Sequence, residues 1–172
     1  MSRLFDPLGM VDSSTGNSAP AVDDRPCIVI DTNVLLDIWV YSDPATPVLL
    51  QALESGQLRW LATAPMREEL LRVLDYAHIA KRRAKDACSL QSVMDAFDRL
   101  SLPAEQAQRS AFVCKDPDDQ KFIDLAVAHT ATLLSKDKLV LKLGKRLLAA
   151  GVKTAEVWPT KKVNYHNIHG FV

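Results

Sequence analysis

The sequence predicts an α/β fold built on a parallel sheet of about five strands. Short apolar runs alternate along the chain with longer segments of helical spacing, a pattern typical of a parallel sheet covered by helices on both faces. The first run, Cys27-Ile28-Val29-Ile30, is continuously apolar, as expected for a strand buried on both sides. At 172 residues the chain is long enough for one such domain with tails.

We predict that the ordered domain spans residues 26–160. Residues 1–25 are rich in Ser, Gly, Asp and Pro without hydrophobic periodicity, which predicts a flexible N-terminal tail. Residues 161–172 show no periodic pattern, and we interpret them as a C-terminal tail.

The first half of the domain contains two predicted strands, each followed by helix. After the first strand, residues 34–40 and 47–55 have helical spacing, and Gly56 ends the second helix. Residues 58–63 form the second strand candidate. A helix then begins at Pro65, a residue suited to the first helical turn.

The second half is predicted to continue the alternation. Residues 79–100 are predicted as one long, charged helix that ends before Pro103, and residues 111–114 as the third strand. The remaining elements follow in the order helix from Pro117 to about residue 130, strand 131–135, helix 138–150 and strand 152–158.

The composition excludes several classes of protein. With 21 basic and 21 acidic residues the chain has no overall positive charge, so binding of a polyanion would need local patches or a bound metal. Three cysteines without zinc-like spacing are expected to be free thiols in a reducing compartment. No signal-peptide layout is present, and no apolar run approaches the roughly 18 residues that a membrane span needs. We therefore expect a soluble, cytoplasmic protein that does not bind membranes.

Four acidic residues stand where predicted strands give way to helices, and these are Asp31, Glu69, Asp119 and Asp137. All strand-to-helix junctions of a parallel sheet lie at its carboxyl edge, so the four carboxylates should converge there. Carboxylates that meet without matching cations repel one another, and a bound divalent metal commonly resolves this repulsion. The sequence therefore predicts a metal site that could activate water for hydrolysis.

Three of the four acids have an alternative structural interpretation of similar weight. Asp31 and Asp137 are suited to capping the helices that follow them. Glu69 borders the apolar stripe of its helix and could reach a cleft, but spacing alone favours an exposed carboxylate that pairs with Arg72 or a neighbour. Only their occurrence at the same edge of the sheet favours metal binding.

Asp119 is the acid for which metal binding is most favoured. Asp116 is predicted as the N-cap of the helix, which places Asp119 at the capping-box position. Asp119 nevertheless shares the apolar stripe with Phe122, and no cation is placed to neutralise a carboxylate there. The neighbouring Asp118 and Asp124 are predicted to face solvent.

Polar and basic neighbours complete the set of candidate residues. Hydroxyl, amide and carboxylate groups close to the four acids could support them, and these are Thr32, Asn33, Asp116 and Ser135. Two basic clusters are more often solvated surfaces but could contact a phosphate backbone. Their candidate residues are Lys81, Arg82, Arg83, Lys136 and Lys138.

Taken in order, these motifs resemble a PIN domain over about residues 26–159, and the branch of bacterial toxin–antitoxin toxins in particular. The motifs are the apolar strand into Asp31-Thr32-Asn33, the helix Glu69-Leu70-Leu71-Arg72-Val73-Leu74, the stretch Asp116-Pro117-Asp118-Asp119-Gln120-Lys121-Phe122 with Leu125-Ala126, and Ser135-Lys136-Asp137. The resemblance implies a three-layer α/β/α fold and an endoribonuclease dependent on one or two Mg²⁺ or Mn²⁺ ions. It also implies Asp31, Glu69, Asp119 and Asp137 as metal and catalytic residues, an RNA substrate, a small antitoxin partner and a homodimer.

Other functions remain open from the sequence. The same family could act in RNA processing or quality control, or as a non-catalytic module that binds RNA or protein, although the presence of all four acids disfavours the latter. In a phosphotransfer protein, Asp31 would accept the phosphoryl group. Such sites need a second acid beside the first or a well-placed lysine after a strand, and Thr32-Asn33 supplies no acid.

Overall fold

A computed structural model describes residues 23–159, and within them a parallel sheet of five strands forms the centre of the molecule. The strands lie in the order β3-β2-β1-β4-β5. The predicted α/β class and three-layer arrangement are confirmed. Most of the predicted tails, residues 1–22 and 161–172, lie outside the described residues. The strands are β1 (Cys27–Ile30), β2 (Arg59–Ala62), β3 (Ser101–Pro103), β4 (Thr132–Leu134) and β5 (Thr154–Ala155).

Helices connect these strands and cover the sheet. A π-helical turn, Asp37–Tyr41, continues the first helix. The helices are α1 (Thr32–Leu36), α2 (Pro47–Glu54), α3 (Ala64–Leu74), α4 (Ala77–Lys85), α5 (Leu90–Leu100), α6 (Gln120–Ala128), α7 (Lys138–Lys142) and α8 (Gly144–Ala149). None of those helices is long and apolar enough to cross a membrane.

The long helix predicted over residues 79–100 is wrong, because the chain turns between α4 and α5. Ala87 has a φ of 51° in this turn, a left-handed conformation that a continuous helix cannot contain. Ser89 then caps α5 through its Oγ, which accepts a hydrogen bond of 2.9 Å from the Ser92 amide. The predicted helix 138–150 is likewise divided, into α7 and α8.

The third strand is also different from the prediction. It is β3, which pairs with β2 at the edge of the sheet, where Pro103 is tolerated because its missing amide faces no further strand. Residues 111–114 belong instead to a loop over residues 104–119 that contains neither helix nor strand. Gln120 holds this loop: its Oε1 accepts from the Cys114 amide at 2.8 Å, and its Nε2 donates to the Phe112 carbonyl at 2.9 Å.

Asp124 is buried, and its predicted solvent exposure is therefore wrong. Its side chain is 8% exposed, since the 104–119 loop covers the face of α6 that helical spacing alone assigns to solvent. Asp124 Oδ1 accepts hydrogen bonds from the Ser110 amide at 2.8 Å and from Gln120 Nε2 at 2.7 Å. A buried carboxylate thus fastens the loop to the helix.

The core lies on both faces of the central strands. Ile28, Val29 and Ile30 of β1 are at most 1% exposed, as expected for a strand covered on both sides. Trp60 of β2 packs edge-on against Phe97 of α5, with ring centroids 4.9 Å apart. This packing holds the central strands rigid, and their carboxyl ends carry the polar residues of the candidate site.

Replacing Asp124 by Ala should lower the free energy of unfolding by about 2–3 kcal/mol, because the Ser110 amide and the Gln120 amide group both lose a buried acceptor. Urea unfolding followed by circular dichroism measures this change. The matched control is Asp118→Ala, which alters an exposed acid of the same loop and should change stability by less than about 0.5 kcal/mol. Equal stability of the two variants would contradict a loop-fastening role for Asp124.

Candidate active site

The candidate site lies where the direction of strand order reverses. From β1 the sheet extends to β2 and β3 on one side and to β4 and β5 on the other. The carboxyl ends of β1 and β4 are adjacent, and the segments leaving them diverge to form a crevice, the usual location of ligand sites in such sheets. Asp31 follows β1, and Ser135 and Asp137 follow β4.

Asp31 is buried at this edge and is held by two side chains. Its Oδ2 accepts hydrogen bonds from Ser135 Oγ at 2.5 Å and from Asn33 Nδ2 at 2.7 Å. Capping of α1 does not account for Asp31, because its carboxylate makes no hydrogen bond to the amides of that helix. Burial raises the pKa of Asp31; the bonds from Ser135 and Asn33 counteract this, and the charge of Glu69 adds to it.

Asn33 and Ser135 also join the two strand ends to each other. Asn33 Oδ1 accepts from the Lys136 amide at 3.1 Å, and Ser135 Oγ accepts from the Asp137 amide at 3.0 Å. Ser135 is fully buried. Two of the predicted supporting residues, Asn33 and Ser135, therefore form one network around the carboxylate of Asp31.

Asp119 stands immediately before α6 and faces the other acids. Its Oδ2 is buried and has no hydrogen-bond partner among residues 23–159. Burial raises the pKa of Asp119 to about 7, and the negative charges of Asp31, Asp137, Asp116 and Glu69 add to the shift. These four carboxylates therefore lie close enough for their charges to act on Asp119.

The start of α6 differs from the prediction. The helix begins at Gln120 rather than at Pro117, and Asp119 occupies the N-cap position. Asp116 makes a turn before it, with Oδ1 accepting from the Asp118 amide at 2.9 Å. Asp116 therefore shapes the approach to the helix while its charge contributes to the site.

Glu69 reaches the site from α3 and is already paired. Its Oε1 accepts from Thr32 Oγ1 at 2.7 Å, and its Oε2 forms an ion pair with Lys121 of α6 rather than with Arg72. Sequence reasoning missed Lys121 as a site residue. The available signal was its position two residues after Asp119, on the same first turn of helix.

Asp137 both caps a helix and contributes charge to the site. Its Oδ1 accepts from the amides of Leu139 and Val140 at 2.6 and 3.3 Å, so the capping interpretation holds for this oxygen. The same carboxylate is close enough to Asp119 to raise its pKa.

The residues present fit a hard divalent cation, although the acids do not form a preassembled site. Among residues 23–159, no three His, Cys, Asp or Glu side chains are arranged as a metal-binding group. The reason is visible in the pairing of Glu69 with Lys121 and in the capping bonds of Asp137. Asp119 nevertheless keeps a buried, unpartnered oxygen beside other carboxylates, and oxygen-only ligand sets suit Mg²⁺ and Mn²⁺.

Three of the five basic candidates have partners within the protein. Lys136 Nζ lies 2.6 Å from Asp37 and 2.9 Å from Asp43, two acids that sequence reasoning did not connect with it. Arg83 donates to the Leu74 carbonyl, and Arg82 pairs with Asp86. Lys81 and Lys138 are exposed.

A family model for the PIN domain matches residues 27–139. The match covers more than half of the sequence, so the chain belongs to the PIN domain family. One solved structure with the same fold is VapBC2 from Rickettsia felis bound to a DNA fragment from their promoter. The match has a TM-score of 0.53 at 14% identity and covers 75% of this chain and 97% of that chain. No curated protein matches the sequence.

In EDTA, Asp119→Asn should melt about 3–6 °C higher than the wild type at pH 8, because the variant removes one repelling charge. The folded wild type binds the Asp119 proton more tightly than the unfolded chain does, since its pKa is about 7 instead of 3.8. Wild-type stability should therefore increase as the pH falls from 8 to about 5, and the difference between the proteins should shrink.

Thermal melts at several pH values test this expectation, with Asp118→Asn as the control for loss of an exposed charge. Below about pH 4 the pairs of Asp43 with Lys136 and of Asp98 with Arg67 begin to be lost, because those partners lower the pKa of each acid. The comparison is therefore confined to higher pH. A wild type and an Asp119→Asn variant that melt together at pH 8 would show that Asp119 is not repelled.

Proposed function

We propose that this protein is a metal-dependent endoribonuclease and the toxin of a toxin–antitoxin module. The observation that carries the proposal is the buried, unpartnered oxygen of Asp119 among four other carboxylates. PIN domains are generally nucleases that use divalent metal ions, and all four acids of the family pattern stand in this chain.

Asp31, Asp119 and Asp137 are the residues proposed to hold the ion. Held by these residues, Mg²⁺ or Mn²⁺ would supply a water of lowered pKa and would neutralise charge on the phosphodiester. Ser135 and Asn33 fix the orientation of the Asp31 carboxylate and favour its ionised form. Their hydrogen bonds counteract the effect of burial, which would otherwise favour the protonated acid.

Glu69 is proposed to orient the attacking water or to hold a second ion. The Lys121 ammonium and the Thr32 hydroxyl keep the Glu69 carboxylate in place. No protein nucleophile is required. Ser135 is fully buried, so its hydroxyl is poorly placed to attack a phosphodiester. Burial raises the pKa of the Cys114 thiol, which disfavours the nucleophilic thiolate.

The position of Lys136 argues against phosphotransfer through Asp31. A lysine after a strand is expected to neutralise the phosphoryl group in such proteins, and Lys136 follows β4. Its ammonium instead lies between Asp37 and Asp43. The hydrogen bonds to Asp31 come from an uncharged hydroxyl and an uncharged amide. This site therefore supports metal-assisted hydrolysis better than phosphotransfer.

The toxin assignment rests on the sequence resemblance and on the shared fold with VapBC2. A small antitoxin is the proposed partner, and an Arg inserted among the carboxylates would match them in charge and geometry. A homodimer and a cytoplasmic location remain predictions. A role in RNA processing uses the same chemistry and is the second candidate.

The purified protein should cleave single-stranded RNA in Mg²⁺ or Mn²⁺ and not in EDTA. Asp31→Asn and Asp137→Asn should each reduce the rate by at least about 100-fold, since the loss of an anchoring carboxylate misplaces the ion. Gel electrophoresis of a labelled RNA measures cleavage, with Asp75→Asn as a surface control. Cleavage by both site variants at the wild-type rate would mean that a contaminant is responsible.

Expression of the wild-type protein in bacteria should arrest growth, whereas the Asp31→Asn protein, expressed to the same level, should not. Growth curves after induction, with both proteins quantified by immunoblot, make the comparison. Unaffected growth with abundant, folded and RNA-cleaving protein would contradict the toxin role and favour RNA processing.

A further inference from the structure

A polar pocket of about 430 Å³ lies next to the candidate active site, at the same edge of the sheet. We propose that it binds one nucleotide of a single-stranded RNA, adjacent to the phosphate that is cleaved. This inference rests on the proposed ribonuclease function and names the subsite that would position its substrate. The residues used in the argument are Thr63, Gln106, Arg109, Pro117, Asp118 and Lys121.

The pocket and the carboxylates share a wall. Lys121 lines the pocket and also forms the ion pair with Glu69, and Pro117 lines it two residues before Asp119. Thr63 immediately follows β2, the strand that neighbours β1 and therefore Asp31. A polymer with a phosphate among the carboxylates would thus place its adjoining nucleotide in this pocket.

Thr63 provides the strongest sign of a ligand. Its side chain is 4% exposed, and its Oγ1 is buried with no hydrogen-bond partner in the described chain. A threonine at this position usually caps the helix that follows, yet Thr63 stands at the N-cap of α3 without a capping bond from its hydroxyl. A buried hydroxyl without a partner costs stability. Because Thr63 lines the pocket, rotation about its χ1 angle would bring the hydroxyl to a polar ligand there, which would satisfy it.

Arg109 supplies a cation for the phosphate. It is exposed and has no ion-pair or hydrogen-bond partner among residues 23–159. The backbone beside it is fixed, because the neighbouring Ser110 amide donates to the buried Asp124. A guanidinium held on an ordered loop can bind a phosphate through two hydrogen bonds at a small cost in entropy.

The remaining walls define where the parts of a nucleotide would lie. Two carboxylates line the pocket, the exposed Asp118 and the buried Asp124, and both repel a phosphate, which therefore belongs on the side of Arg109. Gln106 offers both a donor and an acceptor to a base edge. The volume falls within the range of small-ligand sites, and the polar lining favours a nucleotide over the apolar side chain of a protein partner.

The test is binding of a fluorescein-labelled, single-stranded RNA of about 12 nucleotides, measured by anisotropy with Ca²⁺ in place of Mg²⁺ or Mn²⁺, so that the carboxylate charge is offset while the RNA stays intact. Arg109→Ala should weaken binding about tenfold and reduce the slope of log affinity against log salt by about 0.7, the value for one lost phosphate contact. Thr63→Val keeps the side-chain shape and removes the hydroxyl. It should weaken binding about three- to tenfold and leave the salt slope unchanged.

Two further measurements separate a binding role from a structural one. Thr63→Val should melt at or above the wild-type temperature, because it removes an unpartnered buried hydroxyl, whereas a structural role would lower the melting temperature. Arg99→Ala is the matched control: Arg99 is an exposed arginine that lines a groove with Arg25 and Gly56, away from the carboxyl edge. It should bind RNA like the wild type.

The outcomes distinguish this inference from the proposed function. If the wild type and both pocket variants bind and cleave RNA equally well in Mg²⁺, the proposed nucleotide subsite is wrong, whereas the proposed nuclease function is supported. If the variants keep their RNA affinity but lose affinity for a purified protein partner, the pocket is a protein-docking site and the inference is overturned. A wild type that neither binds nor cleaves RNA overturns the proposed function and the subsite together.

Discussion

The hydrogen bond from Ser135 Oγ to Asp31 Oδ2 is the interaction on which the rest of the site depends. It is 2.5 Å long and fully buried, and it joins the ends of two neighbouring strands that are distant in the chain. Asn33 reinforces this junction by bonding both Asp31 and the Lys136 amide. Because the sheet beneath is rigid, the carboxylate is placed by the core and not by a mobile loop, which is a requirement for a site that must hold an ion at fixed positions.

Around that junction the fold concentrates negative charge and compensates only part of it. Lys121 pairs with Glu69, and Lys136 pairs with Asp37 and Asp43, so two cations offset three carboxylates at the rim. Asp119 has no such partner, and burial, together with the remaining repulsion, raises its pKa to about 7. A hard cation is the group that would relieve it. An RNA phosphate would be repelled by the uncompensated carboxylates, so a cation held in the site would also favour binding of an anionic substrate.

The convergence of the acids could be predicted from sequence because it depends on local and topological rules. Asp31 and Asp137 follow apolar strands, and parallel strands end at one edge. Contacts between distant segments were not predictable. The pairing of Lys121 with Glu69 joins helices from different parts of the chain, and Asp124 is buried only because a loop folds over it. The third strand escaped prediction because three residues ending in Pro103 resemble the end of a helix, and because pairing with β2 creates the strand.

The fastening of the 104–119 loop to α6 makes the loop and the helix one cooperative unit. Gln120 and Asp124 bond to the loop backbone at Phe112, Cys114 and Ser110. If the loop detached while the helix stayed formed, these buried groups would lose their hydrogen-bond partners. Amides of the irregular loop should consequently exchange with solvent at rates close to those of the helix, unlike an ordinary surface connection. Asp119 and Arg109 both belong to this unit and would then open and close together, which couples the ordering of the carboxylate site to the ordering of its neighbouring pocket.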